Sequence, residues 1–554
     1  MATRTTDPSR DASRDVSAET TAETTVMFHR VAETAARLKH RVSLVATLPA
    51  VRRLRNFLNP CSRLPACDKD MVLLGERYER TKRSENEDKD ERKDEDGDAA
   101  FAAVAADPGL AAFLLDLRSR VWITYRRGFP PIASGADGIG GTEDAVSVAY
   151  QYTTDAGWGC TLRVGQMLLA NALSFHFFGR GYRRRKTGPG APVGAGTPGD
   201  ANAHDLHDRL VSWFGDDPDA DACPFSIHQV YRWGRGELDG DAKKNLPGSG
   251  GVPGVVPGRW LGPCVTAQAM AALTNARRPG ELCAYVLAGE DGTFGGGVPN
   301  LDARDVAAFA REHARRRSSE RRAALRLSGA PFDAARAPDA VPASEHREDT
   351  RRCSEHPDWA PTLVLVPLVL GVDRVIDERY VPSVVATLRV KQSLGVLGGK
   401  PGASLYFVGA QGDRLFYLDP HTVFPFRTRV SRLNEGDTNA STHACDDALH
   451  VDARELDPSM VLGFYCRTRG DLDELCLELE LLQRRARAAP LVTVSSAAKT
   501  RGASDDRGDR AGPAAAALRQ TSAAPRAPGP GSAPPEAETE AGVAVSEDDE
   551  WELL

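Results

Sequence analysis

The chain has 554 residues, with 70 basic and 77 acidic side chains and a formal net charge of −7. That length exceeds what one compact core usually holds, and the ten cysteines show neither dense spacing nor paired CxxC motifs, which excludes a secreted disulfide scaffold and a zinc ribbon. No apolar run reaches the ~20 residues of a membrane span, no signal-peptide core opens the chain, and no basic stripe interleaved with aromatics suggests nucleic acid; the expectation is a cytoplasmic protein with free thiols and no cofactor.

In chain order, residues 1–67 read as an N-terminal arm, mostly disordered, with a basic amphipathic stretch from Val26 to Asn59. That stretch fits either a membrane-surface helix or transit-like segment, or else a solvated helix or packing extension; the acids Asp7, Asp11, Asp15 and Glu19 before it favour the latter pair. One interrupted domain is expected over 68–485. Its inserts fall near 79–100, 183–221, 237–257 and 313–357, each too charged or too rich in Gly, Pro or Arg to fold alone. Cys353 and His356 stand alone in the last of these, so no metal site is expected.

Between the inserts, Leu162, Leu168, Leu169, Ala172, Leu173, Phe175 and Phe177 mark a helix after Cys160. Thr266 to Asn275 reads as a second helix behind Gly262-Pro263. Leu363 to Leu370 is a continuous apolar run and reads as a buried strand, with Pro367 predicting an edge or a bulge. Ser404–Val408 and Arg414–Leu418 read as a β-hairpin around a Gly409–Asp413 loop. Leu472 to Leu482 is a late helix, and the tail 486–554 is low-complexity linker ending in WELL. Helices segregated from a hairpin-rich sheet predict an α+β fold.

Two short stretches carry chemistry. In DAGWGC, Cys160 sits at a helix start behind Gly157 and Gly159. Unpaired first-turn amides and the helix dipole favour a thiolate there, and the two glycines let a substrate backbone approach the sulfur. A buried structural cysteine is the other reading of this stretch alone. In LDPHTVFP, Asp419 and His421 flank a proline and share one face of an extended segment. A carboxylate there would fix the imidazole tautomer and favour its charged form. An ordinary polar turn is again the alternative, with 12 histidines in the chain.

These motifs closely resemble those of the autophagins, the autophagy-related protein 4 family of cysteine peptidases. Further blocks agree in order: MVLLGERY (71–78), SRVWITYRRGFPPI (119–132), PFSIHQV (224–230), GRWLGPCVTAQAM (258–270), QSLGVLGGKPGASLYFVG (392–409) and LDPSMVLGFYC (456–466). The matching regions make up a little under half of the chain. The resemblance implies a papain-like α+β fold with an added small region. It implies Cys160 as nucleophile, His421 as general base and acid, Asp419 as its orienter, and Tyr125 as an oxyanion-hole donor.

It further implies a narrow substrate groove walled by Trp260 and by a lid that includes Gln392, Ser393 and Gly395. Lys391 stands where many members are expected to carry proline. The implied partners are ubiquitin-like autophagy-related protein 8 and its phosphatidylethanolamine conjugate, both cut after a glycine near the C-terminus, with transient membrane-surface contact, by a monomer. The terminal Trp551 and Leu554, behind a run of acids, resemble the short motif that docks on the same ubiquitin-like proteins.

Overall fold

The computed structural model describes residues 69–80, 107–133, 151–184, 206–237, 252, 254–289, 294, 297–328, 358–427, 442–445, 447–486 and 489–495. The basic segment at 26–59, the Cys353/His356 pair and the Trp551/Leu554 motif lie outside those residues.

The hairpin β1 (Met71–Leu73) and β2 (Glu76–Tyr78) precedes α1 (Pro108–Arg118). Asp107 caps α1 by accepting from the Leu110 N–H, and Pro108 takes the first turn, where no N–H partner is needed. Next come β3 (Tyr125–Ala133), β4 (Gln151–Thr154), α2 (Cys160–Phe178), α3 (Ile227–Gly234) and α4 (Pro263–Arg277). They are followed by β5 (Cys283–Val286), β6 (Asn300–Asp302), α5 (Ala303–Ser328), β7 (Thr362–Val369) and α6 (Val381–Thr387). The remainder holds β8 (Ser393–Lys400), β9 (Ala403–Gln411), β10 (Arg414–Leu418), β11 (Val423–Pro425), β12 (Leu449–Asp452), β13 (Ser459–Cys466), α7 (Arg469–Ala486) and β14 (Thr493–Ser495).

Nine strands make the central sheet, in the order β12-β10-β9-β8-β13-β7-β5, with β1 and β2 joined beside β9. Its ladders are antiparallel except β5 on β7. Period-two alternation sends Leu363 and Leu365 of β7 into one core, and Val364, Val366 and Leu368 into the other. The first core is covered by α1, α2, α3 and α4, and the second receives Val384 of α6 and Leu472, Leu475 and Leu479 of α7. Burial on both faces is why these strands read as unbroken apolar runs. The chain adopts the α+β class expected. Among the described residues no helix is long and apolar enough to cross a membrane.

The predicted helices at 160, 266 and 472 all form, each longer than its apolar stripe. Several boundaries differ. Residues 206–221, expected within an insert, include a short helix at 206–212, and Leu210, Val211 and Phe214 join the first core. Their apolar spacing outweighs the Asp-rich surroundings. Val255, near the end of the expected 237–257 insert, is also buried. The expected 313–357 insert begins inside α5, which runs on to Ser328.

The tail boundary at 486 is likewise too early: Leu491 and Val492 are buried and β14 pairs in parallel with β6. The β9–β10 hairpin closes tightly, with Gln411 opposite Arg414, so its loop is Gly412-Asp413. Gly409 lies inside β9 because β1 passes close by; a Cβ there would stand 2.3 Å from the Val72 carbonyl oxygen. Pro367 keeps unbroken register with β13, opposite Val461. On its other side the β5 ladder ends at Leu365, so the proline sits where the strand is locally an edge.

Candidate active site

The helix α2 begins at Cys160. Its N-cap is Gly159, and no side chain caps the first turn, so the first amides remain available beside the sulfur. The preceding turn wraps on Asp155, whose carbonyl accepts from the Trp158 N–H (3.2 Å) and the Gly159 N–H (2.8 Å). Trp158 braces that turn: its indole N–H donates to the Thr154 carbonyl (3.1 Å) and its ring meets Tyr152 and Tyr231 edge-on. Cys160 lies in a small cluster with Tyr125 and Val423 and is 3% exposed.

Strand β10 ends at Leu418, and the turn that follows carries Asp419 and His421. The Asp419 Oδ1 accepts from the His421 backbone N–H (2.9 Å) and stands 2.6 Å from its ring Nδ1. Both backbone flanks are tied to the chain at the start of β3. The Trp122 indole donates to the Asp419 carbonyl (2.7 Å), and the Tyr125 N–H donates to the Pro420 carbonyl (3.0 Å). Strand β11 then pairs in parallel with β3, Val423 opposite Tyr125. This brings the Tyr125 ring edge-on to the His421 ring, centroids 5.5 Å apart. The sequence-expected Cys160, Asp419, His421 and Tyr125 therefore meet at one place, although up to 261 positions separate Cys160 from His421 in the chain.

The electrostatics follow from these contacts. Burial pushes the Cys160 thiol up, but a hydrogen bond and charge from His421, with further hydrogen bonds from Ser404, outweigh it and bring the thiol down to about 6. Burial works against a charged His421, yet the Asp419 carboxylate and the hydrogen bond to it, together with Cys160, raise the imidazole to about 10. Burial, then the charges of Cys160 and Asp155, drives the Tyr125 phenol far above its ordinary value. It keeps its proton and stays a donor.

Cys160 and His421 titrate as one unit. A thiol lowered to about 6 is a thiolate above that pH, and an imidazole raised to about 10 stays charged below that one. The thiolate–imidazolium pair is therefore expected between pH ~6 and ~10. Iodoacetamide alkylation of Cys160 against pH checks it: the rate should climb through about 6, whereas a climb near the ordinary thiol value of about 8.5 would contradict the pairing.

The groove wall differs from expectation. Trp260 is 52% exposed and stands at the site, its indole N–H 3.4 Å from the Ser404 hydroxyl. Gln392, Ser393 and Gly395 do not form a lid. Gln392 is buried and donates to Glu474 (3.0 Å), while Ser393 and Gly395 lie in β8, buried between β9 and β13. The element that meets Trp260 is β9 at Ser404, just past the turn of the β8–β9 hairpin, where Lys400 pairs with Ala403 around Pro401-Gly402. Ser404, directly after that tip, also bonds the Thr161 hydroxyl at 2.6 Å. Ser404 was not singled out from the sequence. Its signal was the Lys-Pro-Gly tip within the same block, which marks a turn better than the apolar Ser393–Leu397 run does.

A second set of residues missed in the sequence surrounds Arg163, one turn along α2. This fully buried guanidinium is bonded to Asp155 (2.7 and 2.9 Å) and to Asp216 (2.9 and 2.9 Å), and donates to Gln166 at 3.1 Å. A lone arginine in an otherwise apolar helix face was the available signal, because a buried charge requires partners. Behind this cluster is a cavity of about 240 Å³, lined among others by Ile123, Arg126, Arg163, Asp216, Phe424 and His443. Neither Cys160 nor His421 lines it, so it is not the place of the chemistry.

Arranged this way, the site brings together a thiol lowered to about 6, an imidazole raised to about 10 beside a carboxylate, and a protonated phenol. Comparison with known proteins places the chain among cysteine peptidases. The family described as the Peptidase C54 catalytic domain matches residues 110–478. The cysteine protease ATG4b of Arabidopsis thaliana is 33% identical over 404 residues, covering 70% of this chain and 65% of that protein. The cysteine protease ATG4a of the same plant is 31% identical over 82% of this chain and 77% of its own length. The cysteine protease ATG4A of Homo sapiens is 32% identical over 68% of this chain and 77% of its own length. Against the first of these, the chain spans a little under two thirds of the relative's length.

Proposed function

Because the chain belongs to the Peptidase C54 family of ATG4 cysteine proteases, we propose that it is a cysteine endopeptidase that cleaves ubiquitin-like autophagy-related protein 8 after its C-terminal glycine. It acts both on the precursor and on the phosphatidylethanolamine conjugate. The observation that carries this reading is the buried Cys160 thiol, lowered to about 6 beside an imidazole that Asp419 holds 2.6 Å from its carboxylate.

In this mechanism the Cys160 thiolate attacks the carbonyl carbon of the glycine. The oxyanion that forms accepts from the Tyr125 hydroxyl and the Cys160 N–H. His421 then gives its proton to the departing amine, either the peptide nitrogen of the precursor tail or the ethanolamine nitrogen of the lipid. The glycine is left as a thioester. Neutral His421 next takes a proton from water, which attacks the thioester and releases a free carboxylate and the thiolate. Asp419 holds the ring in one tautomer through both halves.

Exposed Trp260 beside Ser404 walls the groove in this reading, and a glycine, lacking a side chain, is the residue that passes it. The terminal Trp551 and Leu554 hold a second surface of the same substrate, their backbone adding to a sheet edge.

Mass analysis of a substrate carrying a C-terminal extension tests the reading: release of the extension with a new terminus at glycine supports it. A binding-only adaptor would leave the extension in place. The Tyr125→Phe variant is expected to lose about 10²–10³-fold in kcat with little change in KM, since one oxyanion donor disappears. Full activity in that variant would remove Tyr125 from the oxyanion hole.

A further inference from the structure

The two oxyanion donors come from different segments, Tyr125 from β3 and the Cys160 amide from the start of α2. One residue, Asp155, contacts the neighbours of both, through its carboxylate on the Tyr125 side and its main-chain carbonyl on the Cys160 side. The Asp155 Oδ1 accepts from the Arg126 N–H at 2.8 Å, the residue next to Tyr125, and the Asp155 N–H returns to the Arg126 carbonyl at 3.3 Å. On the other side, the Asp155 carbonyl accepts from Gly159 at 2.8 Å, immediately before Cys160. The turn lies so close to the carboxylate that a Cβ on Gly159 would stand 2.4 Å from Asp155 Oδ2. Arg163 then locks the carboxylate through both its oxygens, at 2.7 and 2.9 Å, and is itself locked by Asp216 at 2.9 Å twice. All three side chains are at most 2% exposed.

A buried ion cluster of this kind is poor evidence for stability, because apolar replacements often serve the fold as well. Its geometry is what it fixes: a planar fork holding two carboxylates admits little play. We propose that Asp155, clamped by Arg163 and Asp216, is a positioning residue that sets the separation between the Tyr125 hydroxyl and the Cys160 N–H. The inference rests on the peptidase reading above and adds to it a residue that touches no substrate. Thiolate formation depends on His421 and Ser404 rather than on this cluster, so the two properties separate under mutation.

The test uses the full chain with Asp155→Glu, which keeps the charge but moves the carboxylate by one methylene, and Arg163→Lys, which keeps the charge but loses the fork. For each, kcat and KM are measured, with the rate of Cys160 alkylation at pH 7 and the inhibition constant of a substrate peptide ending in glycinal. That aldehyde adds to the thiolate and places its oxygen where the oxyanion forms. The expected result is a loss of about 10²-fold in kcat and about the same in aldehyde affinity, with KM and alkylation within about threefold of wild type.

Folded variants with kcat within about threefold of wild type overturn the proposal, as does an equal fall of kcat and alkylation with circular dichroism unchanged. Should both variants fail to fold, Asp216→Asn decides, since it leaves the Asp155–Arg163 pair in place: a loss in kcat and aldehyde affinity alone supports positioning, and no loss overturns it. Wild-type turnover in the same assay keeps the two readings apart. An inactive, unalkylated wild type overturns the peptidase reading and this one with it, whereas an active wild type beside an equally active Asp155→Glu overturns this one alone.

Discussion

Cys160→Ala is expected to lower kcat by about 10⁵-fold or more while leaving substrate affinity nearly unchanged. The sulfur is the only atom lost, and the turn that holds it is built from Asp155, Trp158 and Gly159, none of which depends on the thiol. Cys160 is buried among Tyr125 and Val423, and an alanine methyl fits that space. Nucleophile and base act as a unit, so loss of one costs nearly as much as loss of all. Binding would still draw on Trp260, exposed at the groove. Turnover of the variant in a single-turnover assay, with affinity from the same preparation, checks both halves. Residual cleavage within about a hundredfold of wild type would mean that another group performs the attack.

Asp419→Asn is expected to cost about 10⁴-fold in kcat, the scale seen when a triad carboxylate becomes an amide. Its effect should be visible before any substrate is added. The Asp419 charge is the largest favourable influence on His421, whose imidazole it helps raise to about 10. Without that charge the buried ring tends to its neutral form, and the Cys160 thiol loses the partner that brought it down to about 6. The acid limb of Cys160 alkylation should therefore move up, toward the ordinary thiol range. The backbone of the turn should hold, because the Trp122 and Tyr125 donors reach main-chain carbonyls and not the carboxylate. An unchanged alkylation profile in the variant would place the origin of the thiolate elsewhere, with Ser404 and the α2 amides first in line.

The parts of the candidate site were legible in the sequence because each is local, and the family resemblance joined them across the chain. Asp419 and His421 are two residues apart on an extended segment, and Cys160 is marked by its own glycine turn. Other partnerships across the chain were not legible. Arg163 meets Asp216 across 53 positions, and Ser404 meets Thr161 across 243; no spacing rule links such pairs. Asp216 was hidden further by lying in a stretch whose aspartates and glycines suggested an unfolded insert, while Leu210, Val211 and Phe214 beside it carry the burial.

The misplaced groove wall has a different cause. The family resemblance put a lid at Gln392, Ser393 and Gly395, but the segment is a strand whose glycines serve close packing, with Leu394 and Leu397 facing one core and Val396 the other. The turn is one step further on, at Pro401-Gly402. Chain-order elements with strong periodicity, such as α2, α4 and α7, were predictable; their ends were not, since termini are fixed by caps and neighbours rather than by the apolar stripe.

The most direct test of the central claim is mass spectrometry of a purified ubiquitin-like autophagy-related protein 8 carrying a C-terminal extension, incubated with wild type and with Cys160→Ala. The account predicts a new terminus at the glycine with wild type and intact substrate with the variant. An intact substrate after incubation with well-folded wild type, or equal cleavage by both proteins, would contradict it.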